Sequence, residues 1–329
     1  MSSSVDARQD ERHGERHGTA GTLAVTGAMV AFGVNNVIVR TTNFSGVVTA
    51  SYRLFLGIAL LAGYLWATGR RPTLAALRVS IPAGIAYGGS ILFFFSAFKA
   101  TSIANATLIA ALQSGLSLTL VGRFFGEKVR LPEFVLTLLA TGGVVLVILG
   151  GEAGGAGDLR GDLLAVGGMV SNTIYFVLGK RTRARSDVPA GELQVGFLTV
   201  AAVMTVPVVL LGGDVPTPDG GDWIRLLALA VGGTLGHLGV NWAHRHVTLT
   251  TSSLLTLAVP IVSSTVAWFV LDEYLSAMQW VGAGITLAAL AAVVLRAVQP
   301  QRPVPDVPDV PDVPDVPDVP DVPDVPATD

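Results

Sequence analysis

One apolar stretch is written twice in this chain. Residues 21–42, GTLAVTGAMVAFGVNNVIVRTT, recur without a gap as residues 161–182, GDLLAVGGMVSNTIYFVLGKRT. Gly21/Gly161, Leu23/Leu163, Gly27/Gly167, Met29/Met169, Val30/Val170, Val37/Val177 and Thr42/Thr182 are identical, so the chain builds one half and then builds it again. Each copy is apolar over about 20 residues, the length at which a helix crosses the hydrocarbon core of a bilayer. Each ends in a cation, Arg40 or Lys180. The repeat continues further on, because residues 98–148 laid on 244–294 keep the same pattern, with Glu127 falling on Glu273.

Ten such spans can be read, at 19–39, 46–68, 78–98, 103–124, 132–150, 161–179, 190–211, 223–243, 250–271 and 277–295. The chain is 51% hydrophobic and only 14% charged, outside ordinary soluble usage. The expected fold is therefore an all-α polytopic membrane protein. Five spans per copy is an odd number, so the second copy enters the membrane upside down. Two inverted five-helix repeats are the architecture in which secondary transporters exchange the conformations of their halves.

The domains expected are a disordered cytoplasmic tail over 1–18, a first five-helix repeat over 19–150, a second over 151–298, and a disordered tail over 299–329. Residues 1–18 are polar, carry a tandem ERHG, and do not read as a cleavable signal. A metal role for His13 and His17 competes there with a simple solvated leader. The last segment repeats Val-Pro-Asp, which forbids helix and sheet pairing and favours an extended left-handed helix with Asp along one edge. It either binds a basic partner or is a tolerated expansion without a transport role.

Charge sets the expected orientation. With the N-terminus inside, clusters such as Arg70, Arg71 and Arg78, or Arg123, Lys128 and Arg130, fall on the cytoplasmic side. Arg40, Lys99, Arg160 and Arg225 fall outside, so both termini are expected in the cytoplasm of a cell whose plasma membrane holds the protein. Heavy use of Arg over Lys, with much Ala, Gly and Val, suggests a bacterial source. Cys is absent, which removes disulfides, thiolate metal sites and Cys nucleophiles.

Polar groups placed where polarity is costly are the candidates for solute binding. Arg53, inside the second span, either binds an anionic group or holds helices together by reaching helix-end carbonyls or snorkelling outward. His237, with Asn241 four residues on and on the same helix face, either carries a coupling proton or makes a neutral cross-helix hydrogen bond. Asn35, Asn36, Asn172 and Tyr175, joined by Gln113, can read a zwitterionic or hydroxylated solute, or serve as interhelical glue. Asn105, Ser117, Ser253, Thr256 and Ser264 belong to the same set. Glu127 and Glu273 are either reciprocal gates or interfacial residues that favour the start of the next helix. Pro82, Pro207 and Pro260 are placed to bend their spans. Gly27, Ala31, Gly142, Gly143, Gly167, Ala288 and Ala289 are expected to let helices pack closely.

The segments AFGVNNVIVR, SYRLFLGIALLAG, LIAALQSGLSLTLVGRFFGEKV and the run from LALAVGG through VGAGITLAAL resemble the EamA family of the drug/metabolite transporter superfamily, over residues 19–295. The resemblance implies a basket with a central cavity lined by four core helices of each half, the fifth and tenth helices being peripheral. It places Arg53 at the Arg of an RF-like motif, here Arg53-Leu54 followed by Phe55. The function it implies is secondary transport, with export of small metabolites or amino acids by alternating access. The competing readings are a membrane-embedded sensor or enzyme without transport activity, and a lipid flippase of the same fold. No HExxH, phosphate loop or nucleophile-base set supports an enzyme. The expected partners are a small-molecule solute, the lipid bilayer, protons as coupling ion and a second copy of the chain in a homodimer, with no nucleic acid and no cofactor.

Overall fold

Apolar runs punctuated by capping residues, Gly and Pro become helices. The computed structural model describes residues 3–124, 131–153, 158–212, 215–243 and 255–297. Among them the chain forms ten helices and no strand: α1 Ser3–Thr41, α2 Gly46–Ala67, α3 Leu74–Ala100, α4 Ile103–Phe124, α5 Leu131–Ala153, α6 Leu159–Arg185, α7 Ala190–Leu211, α8 Gly220–Ala243, α9 Ala258–Leu271 and α10 Ala277–Ala297. The starts are set locally. Ser45 accepts the Val48 N–H at 3.3 Å, Thr73 the Ala76 N–H at 3.1 Å and Asp158 the Arg160 N–H at 3.0 Å, each satisfying a donor that the first helical turn leaves free.

Among the described residues six helices are long and apolar enough to cross a membrane: Gly21–Thr41 of α1, then α2, α3, Leu159–Arg183 of α6, α7, and Gly220–Val240 of α8. In α4, α5, α9 and α10 the apolar stretches among the described residues are shorter: Ile103–Gln113, Leu138–Gly151, Ala258–Leu271 and Ala277–Ala292. Ten full-length crossings therefore do not follow from helix length and composition. α9 begins after a turn at Leu257, whose backbone keeps right-handed dihedrals (φ -68°, ψ -12°), just ahead of Pro260, which has no N–H to offer the Thr256 carbonyl. At the other end, α1 is helical from Ser3, upstream of the expected start and through most of the expected tail. Glu127, Ser253 and the Val-Pro-Asp segment lie outside the described residues.

The two sequence halves interleave. α1 packs on α8 and α9, α3 on α6 and α7, α2 on α7 and α8, α4 on α6 and α9, and α5 on α10. Gly161 abuts Thr101 while Gly89 abuts Ser171, so α3 and α6 run antiparallel. Gly232 abuts Asn35 and Gly239 abuts Ala28, so α1 and α8 do as well. Leu65 meets Gly191 and Leu198 meets Gly57 in α2 and α7, while Gly143 meets Thr286 and Gly150 meets Gln279 in α5 and α10, again antiparallel. By contrast α3 and α7 are parallel, through Gly84 against Val200 and Gly88 against Met204.

Large apolar side chains such as Leu23, Trp66, Leu211 and Phe269 point outward, and the interior holds Gly, Ala, Asn, Thr and Arg beside the aliphatic core. In lipid the apolar surface gives helices no reason to associate, so close contact and internal hydrogen bonds hold them together. Not every small residue serves that end. Gly143, Gly167 and Ala289 are at contacts as expected, but nothing lies within 4 Å of a Cβ built on Gly27 or Gly142, and Ala288 is exposed. Composition alone does not say which way a small residue faces.

Candidate solute site

Arg53 lies in the buried face of α2 and is only 8% exposed. It points into the bundle instead of snorkelling to an edge. Its Nη1 donates to the Tyr87 hydroxyl of α3 at 3.3 Å, and its guanidinium lies over the Phe95 ring, 5.7 Å from the centroid. Its other flank rests on α8 at Gly233, where a Cβ would stand 2.5 Å from Nη2. A side chain at 233 would displace the guanidinium, which occupies that space.

Tyr87 joins Arg53 to the second half. Its hydroxyl is 3.5 Å from His237 Nε2, and its ring packs on Tyr175 of α6 at 4.8 Å between centroids. His237 packs on Phe32 of α1 at 5.1 Å, made possible by Gly236 beside it, which abuts the same Phe32 ring. Arg183 and Gln194 lie on the side of the Tyr175 hydroxyl. The space enclosed by Arg53, Tyr87, Gln194, Gly233, Thr234 and His237 holds about one water molecule, so these walls are drawn together.

The remaining expected residues divide by partner. Asn35 donates to the Leu229 carbonyl at 3.3 Å and touches Gly232, one residue along α8 from the Arg53 contact. Asn36 donates to Ser263 Oγ of α9 at 3.1 Å, and Ser263 donates to the Gly33 carbonyl at 3.2 Å. Asn172 donates to Gln113 Oε1 of α4 at 2.5 Å. Arg53, Tyr175 and His237 are thus brought together with Tyr87, Asn35 adjoins them on α8, and Asn36, Asn172 and Gln113 bridge helix pairs α1/α9 and α6/α4. The Asn241 side chain lies outside the described structure. Sequence reasoning missed Tyr87, Gln194, Thr234 and Arg183. The Gly232-Gly233 pair four residues before His237 was the available signal, since adjacent glycines in an apolar helix mark where bulky neighbours press in.

A second polar cluster closes the end of the bundle at the C-terminus of α1. Arg40 donates to the carbonyls of Phe98 at 2.9 Å and Thr101 at 2.6 Å, and Lys99 donates to those of Arg40 and Thr42. Asp162, 1% exposed in the first turn of α6, accepts from Thr101 Oγ1 at 2.7 Å and from Asn105 Nδ2 at 3.2 Å. Gln279 of α10 donates to Asn105 Oδ1 at 2.9 Å. Burial of Asp162 was not legible in the sequence, because the residues that cover it come from α4 and the α3–α4 turn.

A pattern of this kind, interleaved helices with a polar cluster inside, invites comparison with known families. The EamA model, that of the EamA-like transporter family, matches residues 19–149 and again 159–295. The chain belongs to that family. It is a multi-pass membrane transporter of the drug/metabolite type, and its partners are small-molecule solutes and the bilayer around it. A solved structure titled only "Crystal structure of protein" superposes on this transporter with a TM-score of 0.61 at 21% identity, covering 85% of this chain and 99% of that one. That likeness establishes shared fold. No curated protein matches it.

Proposed function

We propose that this transporter is a secondary carrier that exports small metabolites or amino acids by alternating access, with ten crossings arranged as two inverted five-helix repeats and both termini in the cytoplasm. One observation carries the reading. Exchanging α1–α5 with α6–α10 maps α1/α8 onto α6/α3, α1/α9 onto α6/α4 and α2/α8 onto α7/α3, and all six are packed pairs. The self-related pairs α2/α7 and α5/α10 run antiparallel, as an inverted repeat requires.

In this reading Arg53, Tyr87, Tyr175 and His237 meet the solute with Asn35 beside them, the amide bridges Asn36–Ser263 and Asn172–Gln113 line the same cleft, and Asn241 completes the set expected from sequence. The α1-exit cluster is the extracellular closure. His237 is the titratable group of the solute cluster, so a proton-driven cycle runs through it. The test is reconstitution of the full chain into proteoliposomes, counterflow of a solute library, and tag mapping of Lys128 and Lys180. Counterflow of at least one solute, with both lysines on one face, supports the carrier. Lysines on opposite faces, or no counterflow by any solute, defeat it. Rates indifferent to an imposed pH gradient, or unchanged in His237→Ala, remove the proton step alone.

A further inference from the structure

We infer that the solute bound at the Arg53 cluster is a small organic carboxylate of net negative charge, held by the Arg53 guanidinium with the Tyr87 hydroxyl beside it. The inference rests on the carrier reading above and narrows it to a class.

The first ground is unbalanced charge. Arg53 is more than nine-tenths buried, and a lone cation in such surroundings is costly unless something neutralises it. Among the described residues the ion pairs are Arg40–Glu273 and Arg225–Asp222, neither of which involves it. Its hydrogen bond goes to a neutral phenol and its face to a benzene ring. These contacts orient the guanidinium without cancelling its charge.

The second ground is geometry. A guanidinium offers five N–H donors in a planar fork that matches a carboxylate through two parallel bonds. One is engaged with Tyr87, and the side chain borders the same enclosed space as Thr234 and His237, whose polar atoms can meet further oxygens. The aromatic rings of Phe95 and Tyr175 beside them offer apolar walls for the body of the solute.

The third ground is the sign of the surroundings. Arg183, exposed near the end of α6, adds a second cation on the side of Tyr175 and His237. Arg53 is the buried one, and no carboxylate among the described residues pairs with either. An organic cation is repelled here, and the ammonium of a zwitterion finds no anionic partner.

Three probes of one size separate the possibilities: hippurate, its neutral amide hippuramide, and the cation N-(2-aminoethyl)benzamide. Each is measured as protein-dependent uptake into proteoliposomes of the full chain, with protein-free vesicles subtracted. The expected result is at least about tenfold faster uptake of hippurate than of either partner, the scale of one charge-assisted interaction. Arg53→Gln is expected to abolish that preference and Arg53→Lys, which keeps the charge but loses the fork, to retain part of it. Equal uptake of the amide or the cation by the unmodified protein overturns the inference without use of any variant. So does undiminished hippurate preference in Arg53→Gln. If none of the three moves while another library solute does, the anion class is wrong and the carrier stands; if no solute moves at all, the carrier reading falls first.

Discussion

The Glu273 carboxylate accepts the main-chain N–H of Ile103 at 2.9 Å across 170 residues of sequence. Asp272 makes this possible by adopting the left-handed conformation, φ 53°, which ends α9 and turns the chain back. Asp tolerates that region better than bulky residues do. The carboxylate then sits on the N-terminus of α4, where free N–H groups and the helix dipole favour negative charge. Arg40 Nη2 is 3.9 Å away, so one carboxylate joins the ends of α1, α4 and α9. The sequence leaves Glu273 as a gate or as an interfacial residue favouring the start of the next helix; the carboxylate does serve a helix start, but that of α4 instead of α10.

Burial raises the Glu273 carboxyl pKa above its usual value, a push only partly offset by the Ile103 N–H and Arg40. A group whose pKa is raised in the closed arrangement favours that arrangement fully below its ordinary carboxylate pKa. The benefit is lost as pH rises through the raised value. Closure at this end should therefore loosen from acid toward neutral pH. The chain has no Cys, so Ser264→Cys, in the cavity beside Glu273, gives a single reporter thiol. Its labelling by an impermeant reagent, corrected for thiolate fraction against a free thiol, should rise across that window and become flat in Glu273→Gln. A flat profile in the parent protein rules out the carboxyl as the pH-sensitive part of the closure.

Gly233→Ala and Gly27→Ala should behave oppositely despite identical chemistry. A Cβ at 233 would meet Arg53 Nη2 at 2.5 Å and Cζ at 3.0 Å, whereas nothing lies within 4 Å of one at 27. The atoms met at 233 are the free end of a long side chain, so the guanidinium moves and the helix does not. Uptake should fall by about tenfold, the worth of one displaced charge-assisted hydrogen bond near 1.5 kcal/mol. Melting temperature should change little, and Gly27→Ala should leave both uptake and melting unaltered. Normal uptake by Gly233→Ala would mean that the position of the guanidinium is irrelevant to transport.

The helices were largely legible because their limits are local. Ser45 and Thr73 cap runs that are apolar throughout, and the ends expected at residues 46, 103, 190 and 277 coincide with observed starts. What the linear pattern could not convey is which side each residue faces and what stands opposite. Gly27 and Gly233 look alike in sequence, yet one faces open space and the other a guanidinium. Tyr87 sits in an unremarked apolar run between Ala86 and Gly88, and only folding brings it to both Arg53 and His237. Asp162 follows a loop in the sequence and is buried by partners from the other half.

Asp162→Ala should destabilise the transporter by about 1–3 kcal/mol for each buried donor left without an acceptor, namely Thr101 Oγ1 and Asn105 Nδ2. Loss of the acceptor also frees Asn105 to shift from Gln279, loosening α10 from α4. Asp162→Asn keeps an oxygen for Thr101 and should cost less. Thermal unfolding of the purified full chain in detergent checks the order, parent above Asn above Ala. Equal melting of the Ala variant and the parent would show that the network adds nothing to stability.

The amide bridges separate glue from solute contact by magnitude. A hydrogen bond between membrane helices adds about 0.6 kcal/mol on average, because the separated helices find other partners. Asn36→Ala, Ser263→Ala and the double variant form a cycle across the α1/α9 contact, where Asn36 Nδ2 donates to Ser263 Oγ at 3.1 Å. Ser263 also donates to the Gly33 carbonyl, so its removal should cost more than that of Asn36. The coupling energy in thermal unfolding should be near that average of about 0.6 kcal/mol. If Asn36 also meets the solute, Asn36→Ala should lower uptake by more than its small stability loss accounts for, while Ser263→Ala, with Asn36 still present, should not. Parallel loss of uptake and stability in both single variants would assign the pair to helix packing alone.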